Sequence, residues 1–155
     1  MMPIDSDDLV SNRFAEFFKN KDDGKCYMSK FGYIWRQGSA YLTKHKDLSR
    51  TCGSCAVTYY NADELPSTDY EHRDEKRKYI FQTSHRDLPR YAKSLGKFYG
   101  VIPFPTTVYV LGTGDNHSIL RGTNLSWKRK LEGIIKVPRP ISEGMRNEFN
   151  IKQRE

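Results

Sequence analysis

Long apolar runs, a cysteine framework and low-complexity tracts are all missing from this sequence. No stretch of about 18 consecutive apolar residues occurs, so no segment is expected to span a bilayer. The opening residues Met1-Met2-Pro3-Ile4-Asp5-Ser6-Asp7-Asp8 are acidic and lack an apolar h-region, which points away from a secretory signal and toward the cytoplasm. A processed domain carrying a replacement Met would begin in the same way. Three cysteines, Cys26, Cys52 and Cys55, are too few for a disulfide scaffold and suit a reducing compartment. The phosphate loop, the dinucleotide glycine fingerprint and the Gly-x-Ser-x-Gly elbow are absent. The histidines stand singly, without the paired spacing of a structural zinc site, so neither metal nor cofactor is expected. The carboxylates between Asp63 and Glu75 alternate with Arg73, Lys76 and Arg77 and read as a solvated face.

What remains is a chain of 155 residues, 37% hydrophobic and 29% charged, long enough to bury a core unaided. Its formal charge of +7 is unevenly placed: residues 86–140 carry ten basic side chains against three acidic ones, while both flanks are balanced.

Ser6, Asp7 and Asp8 suit a helix start, and Val10, Phe14, Phe17 and Phe18 share one helical face, predicting a helix over roughly 7–19. Two β-prone runs, Phe31–Trp35 and Ala40–Thr43, flank a turn at Gln37-Gly38-Ser39. Residues 44–51 read as a loop. Ala56–Tyr60 reads as a buried strand, 69–78 as a solvated helix or a loop, and 79–83 as a short strand. From Asp87, the residues Leu88, Tyr91, Ala92, Leu95, Phe98 and Tyr99 make one apolar face of a helix that Gly100 ends. A strand over 106–111, a glycine turn, a return strand over 117–121 and a last helix with Trp127, Leu131, Ile134 and Ile135 inward follow. Pro138 and Pro140 close a domain of residues 1–140, leaving 141–155 as a tail. This order gives an α/β fold.

The run Tyr99-Gly100-Val101-Ile102-Pro103-Phe104-Pro105-Thr106-Thr107-Val108-Tyr109-Val110 resembles the second half of thioredoxin-like domains, and the likeness extends over residues 79–136. It implies a three-layer sandwich: a mixed central sheet flanked by helices, here elaborated by an N-terminal helix and hairpin. It also implies a cis peptide bond before Pro105, with Phe104, Pro105 and Thr106 lining a groove beside the active-site loop.

Cys52-Gly53-Ser54-Cys55 is the candidate redox motif, with Cys52 attacking and Cys55 resolving. The charged run from Lys44 to Thr51 does not read as the buried strand that should precede such a motif. In the other register, Val57–Tyr60 is that strand, and Glu64-Leu65-Pro66-Ser67 occupies a degenerate motif position without cysteines. That register needs no insertion before Pro105. Arg86, Arg90, Lys93 and Lys97 recur at helical spacing opposite the apolar face, and no acidic residue falls between Leu88 and Val110. The resulting expectation is a non-catalytic interaction or assembly module that meets a protein partner through this basic face. A thiol–disulfide oxidoreductase using Cys52 and Cys55, and a basic nucleic-acid-binding protein, are the alternatives. No membrane partner is expected, and the oligomeric state is left open.

Overall fold

The elements that position the candidate site come from a computed structural model, which describes residues 2–21, 23–50, 52–61, 84, 86–113 and 137–152. In chain order they are β1 (Leu9–Val10), α1 (Arg13–Phe18), β2 (Cys26–Ser29), β3 (Gly32–Arg36), β4 (Tyr41–His45), a 3-10 turn (Leu48–Arg50), β5 (Ala56–Val57), α2 (Leu88–Ser94), β6 (Tyr99–Ile102), β7 (Thr107–Leu111), β8 (Pro138–Pro140) and α3 (Glu143–Phe149).

The hairpin expected around Gly38 forms. β3 and β4 pair antiparallel from Gly32↔His45 to Trp35↔Leu42, and the indole Nε1 of Trp35 donates to Ser39 O at 2.9 Å across the turn. β7 lies parallel to β3, with Tyr33↔Val108 and Arg36↔Leu111 as the ends of the register. β1 closes one edge and β8 the other, giving the order β1-β7-β3-β4-β8. Gly32 is dictated by close approach: a Cβ there would stand 2.6 Å from Thr107 O and collide with Leu48. A second, three-stranded sheet has β2 at its centre, antiparallel to β5 and parallel to β6.

Strand alternation sorts the side chains into separate clusters. On one face of the larger sheet, Trp35, Leu42, Val108 and Val110 pack with Ile141, Phe149 and Ile151. On its other face, Ile34 and Tyr109 meet Leu48, Cys52 and Cys55. The smaller sheet is covered twice. Phe14, Phe17 and Phe18 of α1 pack on Tyr27, Ile102 and Phe104, while Leu88 and Ala92 of α2 pack on Met28 and Ala56.

The α/β class holds, and several expectations are corrected. The first helix begins only at Arg13, because Leu9 and Val10 pair with Val108 and Thr107 and Ser11 N donates to Thr106 O. The strand after Cys55 stops at Val57, and Lys44 and His45 belong to β4. α2 ends before Gly96, at φ +73, not at Gly100. Lys97 N bonds Ala92 O and Gly96 N bonds Lys93 O, a Schellman closure that only a left-handed residue permits. Gly100 lies inside β6 instead, and Leu95 and Phe98 turn outward.

Residues 141–155 are not a tail in their described part. Ser142 Oγ accepts from Met145 N to start α3, Asn150 ends it in the left-handed region, and Phe149 and Ile151 are buried. Pro138 and Pro140 do not close the domain; they sit in an edge strand, where proline's missing N–H is tolerated. The described strands make two sheets where the resemblance implies one central sheet. The bond before Pro105 is trans, as most X–Pro bonds are. The expected motif Glu64–Ser67, the segments 69–78 and 79–83, the return strand over 117–121 and the last helix lie outside the described residues.

Candidate functional site

The Cys52–Cys55 loop follows the 3-10 turn, whose Leu48 carbonyl accepts from Cys52 N at 2.9 Å. It bends straight into β5, so no helix begins at the first cysteine. Its anchors run to both sheets. Cys55 O accepts from Ser29 N at 2.9 Å, and Ser54 O accepts from the Thr107 hydroxyl. Ser29 Oγ also donates to Phe104 O at 3.0 Å. The structure thus brings the cysteine loop beside the Phe104–Thr107 segment, the two parts that the resemblance pairs. Contact passes through Ser54 and Ser29; Phe104 packs against the edge of Phe17, and Thr106 is fully buried.

The thiols themselves are sealed. Cys52 and Cys55 are each 1% exposed, and Cys26 is equally buried. Cys52 Sγ donates to Asp8 Oδ2 at 2.8 Å and accepts from Ser54 N at 3.3 Å. Cys55 Sγ donates to Cys52 O at 3.3 Å. Burial, and then the Asp8 carboxylate, push the Cys52 thiol far above its ordinary range. Burial pushes Cys55 up to about 12. A nucleophilic thiolate requires the opposite environment, with a helix N-terminus or a neighbouring cation. Asp8 is held up in turn, mainly by desolvation, although the hydrogen bond from Cys52 works the other way.

Asp5 and Asp8 are the residues that sequence reasoning missed. Asp8 reads as a helix-start residue, and nothing in its neighbourhood signals that β1 carries it under the cysteine loop. Asp5 N donates to Ser54 Oγ at 2.9 Å, tying the same segment to the loop. Asp5, Asp8 and Cys52 are the metal-capable cluster among the described residues.

The basic face is on α2. Arg86, Arg90 and Lys93 are exposed. Lys97 leaves the expected stripe: its Nζ donates to Tyr59 O at 2.8 Å and sits 5.2 Å from the Tyr60 ring centroid. Beyond the helix, Leu95 (50%), Phe98 (68%) and Val101 (50%) are exposed apolar side chains. Tyr59 and Tyr60 also line a cleft with Phe18, Lys21, Lys25 and Tyr27. Lys21 Nζ lies 4.7 Å from the Phe17 ring centroid and 5.1 Å from that of Tyr27.

No helix among the described residues is long and apolar enough to cross a membrane. No family model, curated protein or solved structure matches the chain.

Proposed function

We propose that this chain is a non-catalytic interaction module that holds an acidic protein partner through the face of α2 and the turn after it. One observation carries the reading: Arg90 and Lys93 stand exposed on α2 and Leu95 and Phe98 turn outward just after it, in a stretch with no acidic side chain from Leu88 to Val110. Cations give such a face its attraction and orientation, and exposed apolar groups give it area to bury. The sealed thiols support a structural role for the Cys52–Cys55 loop. A thioredoxin-like ancestry for the scaffold is supported by α2 leading through Tyr99–Ile102 into the strand Thr107–Leu111. The trans bond at Pro105 and the two sheets weigh against it.

The test is binding of an acidic peptide library and of an RNA oligonucleotide to the whole chain, with and without Arg90→Glu and Lys93→Glu together. Both positions are exposed, so the double variant is expected to keep its stability within about 1 kcal/mol. Acidic peptides should bind, weaken with added salt and lose at least about tenfold in affinity in the variant. Binding to RNA with a steep salt slope, and none to peptides, would favour the nucleic-acid reading instead.

A second reading is favoured by the Ser54–Thr107 contact, which sets the Cys-x-x-Cys loop against the segment a thioredoxin-like groove would use. It has the chain exchange disulfides through Cys52 and Cys55. Insulin reduction by the reduced chain, abolished by Cys52→Ser, would establish it; an inactive wild type would remove it.

A further inference from the structure

Asp5, Asp8 and Cys52 each offer one potential ligand atom, and these atoms all lie within 4.8 Å of one another. A separate fact concerns Asp8 alone. The residue is 8% exposed, and its Oδ1 is buried with no hydrogen-bond partner among the described residues. The other oxygen accepts from the Cys52 thiol, a weak donor, at 2.8 Å, and the Ser54 hydroxyl and the Val110 backbone also act on the carboxylate. Among the described residues, neither of the ion pairs Arg13–Glu148 and Lys25–Asp23 reaches this carboxylate. An acceptor removed from water and given no donor is a costly group to keep, and a cation is the partner that resolves it.

We propose that Asp5, Asp8 and Cys52 bind one zinc-class divalent cation, which fastens the N-terminal segment to the Cys52–Cys55 loop.

The donor set selects the metal. One thiolate and two carboxylates suit borderline-soft Zn²⁺, whereas Ca²⁺ and Mg²⁺ require all-oxygen shells. As the cation enters, the Cys52 S–H bond breaks, its proton passes to buffer, and a sulfur lone pair forms the metal–sulfur bond. No electron changes hands. Asp5 is exposed and gives the ion a way in. Three protein ligands leave one tetrahedral position to solvent. Cys55 stays outside the shell, its Sγ committed to the Cys52 carbonyl, so the site carries one thiolate and not a Cys-x-x-Cys dithiolate. The proposal is independent of the interaction reading, since it uses no residue of the basic face.

The experiment titrates the reduced, chelator-stripped whole chain with Cd²⁺ and follows the ultraviolet sulfur-to-metal charge-transfer band, then displaces Cd²⁺ with Zn²⁺. One equivalent should bind, with the band intensity of a single thiolate. Cys52→Ser should abolish the band, while Cys26→Ser and Cys55→Ser retain it. Asp5→Asn, at an exposed position that does not depend on core packing, should weaken Zn²⁺ by at least about tenfold. An absent band would overturn the proposal. So would a band of two-thiolate intensity, loss of the band in Cys55→Ser, its retention in Cys52→Ser, or unchanged Zn²⁺ affinity in Asp5→Asn.

Discussion

Buried hydroxyl and thiol groups set the chain's response to alkali. Cys55 moves from an ordinary 9.0 up to about 12, and the Tyr99 phenol from 10.0 up to about 12, both chiefly because burial penalises the anion. For Tyr99, the hydrogen bond it shares with Thr58 at 2.7 Å works in the opposite direction. A folded-state value raised above the unfolded one means that the native chain holds its proton more tightly. That stabilisation is fully present below pH 9 and drains away as pH climbs toward 12, where the unfolded chain ionises first. Urea midpoints measured at intervals across this range should therefore fall steadily from pH 9 upward. A midpoint that stays flat to pH 11 would show these groups to be in contact with water.

At the scale of elements, the outcome most distant from the sequence pattern is α3. Only Met145 and Phe149 mark its inward face, and Gly144 and the three charged residues Glu143, Arg146 and Glu148 dilute that signal to the look of a tail. Its position is fixed by tertiary partners. Phe149 sits edge-on to Tyr33 with ring centroids 5.8 Å apart, Ser11 Oγ donates to Glu148 Oε1 at 2.6 Å, and Asn12 N donates to Glu148 O at 2.9 Å. The β3–β4 hairpin was legible for the converse reason: its alternation and its Gly38 turn are local. α2 is legible as a helix, but its stop at Gly96 is hidden, since the apolar spacing runs on through Leu95 and Phe98 as if the helix did too. Phe149→Ala should cost about 3–5 kcal/mol by opening a cavity against Trp35 and Val110. Deleting residues 141–155 should leave a chain with no cooperative thermal transition, where a true tail would be dispensable.

Across the whole molecule, the two sheets are joined at the loop that holds the cysteines, and this explains what the sequence could and could not reveal about the site. Cys-x-x-Cys spacing is visible in one dimension. Its burial depends on Ile34 and Tyr109 from the larger sheet and on Ser29 from the smaller one, contacts set by strand register. Asp8 arrives by the same route, through a two-residue strand too short to show a period. The basic face was legible because helical spacing is local, whereas Lys97's turn toward Tyr59 was not. With all three cysteines sealed, each at 1%, a thiol reagent reaches them only when the packing around the seam opens. In metal-free buffer at neutral pH, the native chain should react far more slowly than the same chain in denaturant, where three thiols titrate. When reclosing outpaces labelling, the rate follows the population of open molecules. Phe149→Ala, remote from every cysteine in sequence, should then raise the rate about a hundredfold or more if the seam opens only by global unfolding. An unchanged rate in that variant would mean that the cysteine loop opens by itself, leaving the larger sheet and α3 intact.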